Sequence, residues 1–247
     1  DIQYSYSTPL YIYKSDTSEG LTQVNPSTLI TDMGMYSEDQ LSAVSSMGGS
    51  MDVWTEMIDN DEIIENQYDV LAGKLPENYD EVVLVVDENN EINDYVLYTL
   101  GLLDSSELNG IMKKVMLGEE ININSEQQIY TYDQLMELEF KLISPADKYC
   151  KEGEIWKDMS NDEDYMKSVV DKGTTLKIVG IVRPSEKASS ASIGGAIGYR
   201  HDLTTYVLDK VGESEIVKEQ QEKQGVASSI TEEQKNDISH RGKALRA

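Results

Sequence analysis

Cysteine, histidine and long apolar runs are scarce in this chain of 247 residues. Its single cysteine, Cys150, excludes an internal disulfide and a thiolate cluster for zinc. No stretch approaches the roughly 18 apolar residues of a membrane span, and no basic segment followed by an apolar one suggests a signal peptide. We therefore expect a fold held by side-chain packing, and a membrane protein containing this segment would hold its spans elsewhere.

Basic residues are also few, with 21 Lys and Arg against 46 Asp and Glu and a formal charge of −25. Such a surface repels the phosphates of nucleic acids and of anionic lipids, so no nucleic-acid partner is expected. The acidity is open to two interpretations, attraction of cationic peptides and simple solubility, and solubility is the more general explanation. Charge alone selects no ligand.

Residue patterns for metal binding are weak. His201 and His240 each lack the i, i+4 partner of a helical zinc site. Oxygen-bearing side chains alternate as at the start of an EF-hand loop, but Ile92 and Tyr98 occupy the glycine and glutamate places of that loop. A polar turn is the better interpretation of this alternating set, which consists of Asp87, Asn89, Glu91 and Asn93.

Patterns for catalysis or cofactor binding are equally weak. No G-x-S-x-G elbow is present, and the glycines Gly194, Gly195 and Gly198 lack the spacing of a phosphate loop. The paired carboxylates Asp59, Asp61, Glu62 and Glu65 suit a solvated acidic helix face. We therefore predict no catalytic, cofactor-binding or metal-binding residue, no cofactor and no enzyme activity.

A hydrophobic fraction of 39% can supply a core. Alternating or continuous apolar runs predict strands at Tyr4–Tyr13, Val82–Val86, Leu117–Ile123, Glu139–Ile143 and Leu176–Pro184. The Val82–Val86 run is expected to be central, since it is apolar on both faces. Tyrosines could form a recognition surface, but a half-buried sheet face is preferred for Tyr11, Tyr13, Tyr95 and Tyr98.

Capping residues and helical spacing predict several helices. The expected helical segments begin at Ser37, span Met51–Ile64, span Tyr95–Leu100 with a left-handed end at Gly101, run from Ser105 or Ser106 to Met116, and span Thr204–Val211. Residues 213–247 are polar and fit either a solvated helix or a frayed tail.

Two blocks carry a resemblance to a known family. The first is Tyr68-Asp-Val-Leu-Ala-Gly-Lys-Leu-Pro76 followed by Glu81-Val-Val-Leu-Val85, and the second is Leu176-Lys-Ile-Val-Gly-Ile-Val-Arg-Pro184. Between them lies Leu117-Gly-Glu-Glu-Ile-Asn-Ile123. In order and spacing these blocks resemble the extracytoplasmic domain of ABC transporter permeases of the MacB/FtsX type, with a loop at 191–199 similar to that of clostridial-type members.

The resemblance implies an α+β fold with two lobes. Residues 1–78 and 205–247 would form a membrane-proximal α/β lobe, and residues 79–204 an inserted β-rich lobe with a variable insertion at 124–175. It also implies a Gram-positive location at the extracellular face of the cell membrane. The expected partners are the transmembrane helices of the same permease, a cytoplasmic ATPase acting indirectly, a peptide or lipoprotein substrate, and a second copy in a full-length homodimer.

The function implied by the resemblance is to transmit ATP-driven motion of transmembrane helices to a substrate or partner outside the membrane. A secreted or surface-attached binding module without catalytic activity is the alternative, suggested by an acidic, tyrosine-rich composition. An enzyme is the third hypothesis, because a fold can host chemistry that short motifs do not reveal.

Overall fold

A computed structural model describes residues 9–28, 53–103, 129–188 and 190–229, with the backbone alone for 224–229. The strands of this part are β1 Tyr11–Lys14, β2 Gln23–Asn25, β3 Trp54–Glu56, β4 Tyr68–Gly73, β5 Glu81–Val85, β6 Glu139–Ile143, β7 Tyr149–Glu152, β8 Ile155–Asp158, β9 Thr174–Pro184 and β10 Ile197–Tyr199. The helices are α1 Asp61–Gln67, α2 Asp94–Thr99, α3 Tyr132–Met136, α4 Glu163–Lys172, α5 His201–Glu213 and α6 Glu215–Ser229, with a 3₁₀ turn at Pro145–Lys148.

Eight of the described strands form one mixed sheet in the order β2-β1-β6-β9-β5-β10-β3, with β4 also paired to β9. The 11-residue strand β9 organises this sheet. Its first half pairs with β6 and its second half with β4, both antiparallel, while β5 runs parallel along its other edge. Hairpin β7–β8 forms a separate two-stranded sheet. Helices with a mixed sheet confirm the expected α+β class.

Both faces of the central strands are covered. Val82 and Leu84 of β5 pack in one hydrophobic cluster with α3 and α5, whereas Val83 packs in another with Ile64 of α1. A third cluster places Met166 of α4 against β1 and β6. Because neighbouring residues of a strand point to opposite faces, a run without polar residues is what such burial requires. The prediction of a central strand at Val82–Val86 is confirmed, with bounds Glu81–Val85.

A bulge in β9 changes which residues face each cluster. Val82 pairs with Ile178, but Val83 pairs with Gly180, so Val179 is an extra residue on β9. Ile178 and Ile181 therefore belong to the same cluster although three positions separate them. An extra residue shifts the alternation of a strand by one place, and it bends the strand locally.

Several other sequence predictions are confirmed. Glu139–Ile143 is strand β6, and Tyr11–Lys14 is a strand within the described end of the first predicted one. Helix α2 begins one residue earlier than expected, because Asn93 rather than Asp94 caps it, and Gly101 has the predicted left-handed backbone with φ 68°. Helix α5 contains the predicted Thr204–Val211 helix.

Two predictions are wrong. The segment Met51–Ile64 is not one helix, since Trp54–Glu56 is strand β3 and pairs in parallel with β10. Aromatic and β-branched side chains favour this pairing, and the helix starts only at Asp61, where Asn60 caps it. Tyr95 and Tyr98 lie on helix α2 rather than on a sheet face, because the Asn93 cap turns this segment into a helix.

The proposed division into two lobes is not confirmed and stays a prediction. Strands β1 and β4 from the range 1–78 share one sheet with β6 and β9 from the range 79–204. Within 124–175, β6 is an interior strand of the sheet, and the hairpin β7–β8 and helix α4 follow it. The helix predicted from Ser37, the helix predicted to end at Met116, the strand Leu117–Ile123 and the tail after Ser229 lie outside the described residues.

Candidate functional site

The two sequence blocks pair with each other at the centre of the sheet. Strand β4 from the first block runs antiparallel to the second half of β9, with Tyr68 opposite Pro184 and Asp69 opposite Arg183. The carboxylate of Asp69 lies 3.9 Å from the guanidinium of Arg183, which also donates to Asn90 at 3.1 Å. Residues more than 100 positions apart in the chain thus form one unit, which we call the β4–β9 junction.

Two glycines allow the backbones to approach at this junction. Gly73 has φ 70°, a conformation that side chains disfavour, and a Cβ atom there would overlap the carbonyl oxygen of Val179. A Cβ atom on Gly180 would overlap the carbonyl oxygen of Lys74. The amide of Lys74 donates to the Val179 carbonyl at 2.9 Å. Glycine is therefore required at both places by the close contact itself.

Glu81 fixes the turn between β4 and β5. Its Oε2 atom accepts hydrogen bonds from the backbone amides of Glu77 and Asn78 at 2.7 and 3.0 Å, and its Oε1 atom lies 3.2 Å from Nζ of Lys74. Partial burial alone would raise the pKa of Glu81, but these amides and the ammonium together lower that pKa to about 2. The glutamate that opens the E-V-V-L-V block is thus an anion that organises the preceding turn.

Tyr68 connects the first block to the glycine-rich loop. Its side chain is 2% exposed, and its hydroxyl accepts a 2.8 Å hydrogen bond from the backbone amide of Ile193. Gly195 in the same loop packs so closely on Val53 that a Cβ atom would overlap the Val53 carbonyl oxygen. The loop at 192–198 is therefore docked on the sheet.

A cluster of polar side chains joins helix α5 to the sheet edge, and we call Glu56, Arg200, His201 and Thr204 the polar clamp. Nδ1 of His201 lies 2.8 Å from Oε1 of Glu56, and the Thr204 hydroxyl donates to Oε2 at 2.5 Å. Because a carboxylate only accepts, the imidazole donates from Nδ1. The side chains of Glu56 and His201 are 13% and 24% exposed. Both carboxylate oxygens of a largely buried group are thereby satisfied.

Arg200 extends the polar clamp toward the first block. Its Nε atom donates to the carboxylate of Asp202 at 3.1 Å, and its Nη1 atom donates to the carbonyl of Pro76 at 3.3 Å. Asp61 of α1 lies 3.8 Å from the same guanidinium. One arginine therefore contacts the N-terminal turn of α5, the start of α1 and the Pro76 turn.

An open groove of about 430 Å³ lies beside hairpin β7–β8. Three aromatic side chains, Tyr149, Trp156 and Tyr165, line it together with Val169 of α4 and Ile216 of α6. The volume falls within the range of about 300–1,000 Å³ that ligand pockets occupy. Aromatic and aliphatic side chains outnumber charged ones in its lining, a composition that can hold an apolar ligand group.

The residues weighed from the sequence do not converge on one site. His201 belongs to the polar clamp, and His240 lies outside the described residues. The EF-hand-like set forms the predicted polar turn, in which Asp87 accepts from the amides of Asn89 and Glu91 at 2.8 and 2.7 Å. The four carboxylates predicted to form an acidic helix face are all exposed, but only Asp61, Glu62 and Glu65 lie on helix α1, because Asp59 precedes its Asn60 cap.

Sequence reasoning missed Glu56, Thr204 and Trp156. Glu56 follows the short segment Val53–Thr55 and carries no local signal, since its partners lie about 145 residues away in the chain. Trp156 sits in a charged stretch that gave no pattern beyond polarity. Only tertiary contacts identify these side chains.

Comparison with known proteins found no relative of this chain. No protein-family model, curated protein or solved structure matches this chain. In the part of the chain that the structure describes, no three His, Cys, Asp or Glu side chains are grouped as a metal site. Nor does any helix of that part have both the length and the apolar character needed to cross a bilayer.

Proposed function

We propose that this chain is the extracytoplasmic domain of a MacB/FtsX-type ABC transporter permease at the outer face of the cell membrane. In this role it transmits ATP-driven motion of the transmembrane helices to a peptide, lipoprotein or other amphiphile, or to an envelope partner. The observation that supports the proposal is the β4–β9 junction. The two blocks that resemble the family contact each other through their glycines and through the Asp69–Arg183 pair.

A continuous path of strands suits the transmission of force. Hydrogen-bonded pairing runs from β1 through β6, β9 and β5 to β10, without a loop in the path. Close-packed strands covered on both faces resist deformation, because a shift of one side chain is opposed by its packed neighbours. Strand β9, with neighbours along both edges, is the central element of this path.

The polar clamp supplies the connection from sheet to helix. Only Arg200 separates strand β10 from helix α5, and Glu56 on the neighbouring strand β3 holds the first turn of that helix through His201 and Thr204. Motion of α5 would therefore reach the sheet through two routes, the chain itself and the side-chain contacts. In the proposed permease, residues after α5 would lead toward the membrane.

The flanking sequence of the gene is the first test of this proposal. A permease requires an apolar span of about 20 residues before the domain, further spans after it, and a neighbouring ATPase with a Walker A motif. A single signal peptide with no later span would contradict the proposal and would favour the binding module.

The second test measures whether the domain moves as one body. Spin labels at Glu65→Cys on α1 and Asp164→Cys on α4, in a Cys150→Ser background, report the distance between these two helices by double electron–electron resonance. In the full-length permease with its ATPase, we expect this distance to stay constant on ATP addition while the distance between the Glu65 positions of two subunits changes. A changed distance within the domain, or unprotected amides of Val82–Val86 in hydrogen exchange, would contradict a domain that moves as one stiff body.

The alternative function, a surface-attached binding module, is favoured by one observation, the aromatic groove beside hairpin β7–β8. Tyr and Trp side chains combine apolar area with a polar tip and often anchor ligands. The groove itself does not distinguish the two functions, because both accommodate a ligand. The flanking sequence does distinguish them.

A further inference from the structure

The walls of the aromatic groove are held in place by hydrogen bonds. The Tyr165 hydroxyl donates to the backbone carbonyls of Asp147 and Tyr149, at 3.0 and 3.2 Å. The Trp156 indole N–H donates to Oε2 of Glu219 at 3.0 Å, which fixes this ring against α6. Fixed walls reduce the ordering cost of binding, so the groove is prepared for an apolar side chain.

Acidic residues outnumber basic ones at this groove, and more strongly in the depression next to it. The groove and the depression next to it, on the loop between β8 and α4, are lined by six carboxylates and two lysines. The lining carboxylates are Asp147, Asp158, Asp162, Glu163, Asp164 and Glu215. The two depressions are neighbours, because Tyr149 of the first pairs across the hairpin with Asp158 of the second.

Nearby lysines leave this excess of negative charge in place. Lys151 contacts two carboxylates, Glu215 at 2.9 Å and Glu219, so that group of three carries a net negative charge. Lys157 pairs with Glu152 at 3.4 Å, and Lys167 pairs with Glu163 at 2.8 Å, which leaves Asp162 and Asp164 as the other carboxylates at the start of α4. These three lysines therefore do little to attract an anion to the groove.

Charge also varies along the helix that forms one wall. Helix α4 begins with Glu163 and Asp164, presents Tyr165 and Val169 to the groove, and ends with Lys172. Asp164 and Lys172 are eight residues apart, which corresponds to about 12 Å of helix. A ligand in the groove thus meets negative charge at the start of α4 and an apolar surface beyond it.

From this arrangement we propose that the groove binds a basic peptide segment, which inserts a large apolar side chain between Tyr165 and Trp156 and places its lysines or arginines at the start of α4. Charge complementarity selects this ligand over an acidic one. Aromatic walls accept apolar side chains and also the stems of basic ones. A lysine already lies near one of these walls, since Nζ of Lys151, held by Glu215 and Glu219, is 5.6 Å from the centroid of Trp156.

Two tryptophans make the test direct. Trp54 is buried in the core, and Trp156 lines the groove, so their two indole N–H signals in a ¹H–¹⁵N correlation spectrum separate the core from the site. Trp156→Phe assigns the signals by removing one. Three capped peptides are titrated into this chain: Lys-Lys-Phe-Gly, Glu-Glu-Phe-Gly and Lys-Lys-Gly-Gly.

We expect Lys-Lys-Phe-Gly to shift the Trp156 signal saturably and to leave the Trp54 signal in place. The other two peptides should bind at least about fivefold more weakly, as should Lys-Lys-Phe-Gly when salt is raised above about 0.15 M. Asp164→Lys should weaken binding about fivefold, whereas Glu88→Lys, a matched charge reversal on the exposed turn after β5, should not change it. An unchanged Trp54 signal shows that each variant is folded.

No saturable shift, equal binding of the acidic peptide, or equal binding of the peptide without phenylalanine would each overturn this inference. It rests on the groove and not on the proposed transport role. A negative titration would therefore leave the permease hypothesis intact, and flanks without membrane spans would leave the peptide site intact.

Discussion

Replacement of Gly180 by alanine tests whether the β4–β9 junction is close-packed. Gly180 needs no left-handed backbone, so alanine is conformationally acceptable and the cost is steric alone. The added Cβ atom would meet the carbonyl oxygen of Lys74, a backbone atom of the residue directly after strand β4, which cannot rotate away as a side chain could. The two strands must therefore separate at this point.

The expected destabilisation has two parts. Forcing extra volume into a packed site costs about 1–3 kcal/mol. Separation also weakens the 2.9 Å hydrogen bond from the Lys74 amide to the Val179 carbonyl, at about 1 kcal/mol. Alanine restricts the unfolded chain, which offsets about 0.5 kcal/mol. We expect Gly180→Ala to lower the free energy of unfolding by about 1.5–3.5 kcal/mol.

Gly212→Ala is the matched control, since it makes the same chemical change near the end of helix α5. Nothing lies within 4 Å of a Cβ atom at Gly212. Alanine is the better helix former, so this variant should be about 0.5–1 kcal/mol more stable than the wild type. Urea unfolding followed by circular dichroism measures both variants. Opposite changes in the two variants would exclude the unfolded state as the explanation of the Gly180 effect, because both substitutions restrict the unfolded chain in the same direction.

The close-packing argument would be refuted by a Gly180→Ala variant within about 0.5 kcal/mol of the wild type. Such a result would mean that the strands are farther apart than the structure has them. The β4–β9 junction would then no longer explain why glycine stands in both sequence blocks.

Three further predictions concern single side chains. The pKa of Glu81 falls from 4.5 to about 2 on folding, so Glu81→Gln should cost about 2 kcal/mol at pH 7 after allowance for solvent screening. That deficit, from urea unfolding, should be complete above pH 4.5 and vanish as the pH falls toward 2, because stability from a depressed pKa is lost on protonation; a deficit independent of pH would contradict the assignment. Tyr68→Phe should cost about 2 kcal/mol and speed hydrogen exchange at the Ile193 amide, which loses its acceptor; unchanged exchange there would exclude the contact. Thr204→Val should cost about 1–2 kcal/mol in thermal unfolding, whereas Thr204→Ser, which keeps the donor to Glu56, should cost less, and equal losses would argue against the polar clamp.

Sequence reasoning succeeded where local chemistry decides the structure. A continuous apolar run can only be a doubly buried strand or a core helix, and β-branched residues bounded by a turn identified β5 as a strand. Glycine after a short amphipathic segment identified the left-handed end of α2, because φ 68° is accessible to glycine without strain. The polar turn at Asp87 was likewise predictable, since a short side chain accepts amides two and four residues ahead.

The sequence failed where partners are remote. Trp54–Glu56 has the spacing of a helix when taken with its neighbours, and only the parallel pairing with β10 makes it a strand. Trp54 contacts Phe140 edge to face, with ring centroids 5.2 Å apart, so its environment is set 86 residues away. Long-range pairing overrides local propensity in such short segments.

By itself, the amino-acid sequence predicted the central apolar strand and supplied the two glycine-bearing blocks, and the resemblance that these blocks carry implied the α+β class. Tertiary structure alone decided that these blocks pair, that Glu56 holds α5 through His201 and Thr204, and that three aromatic side chains line one groove. The physical reason is that burial preference and turn geometry depend on residues that are neighbours in the chain. Hydrogen-bond partners and groove walls come from segments that meet only after the sheet has formed.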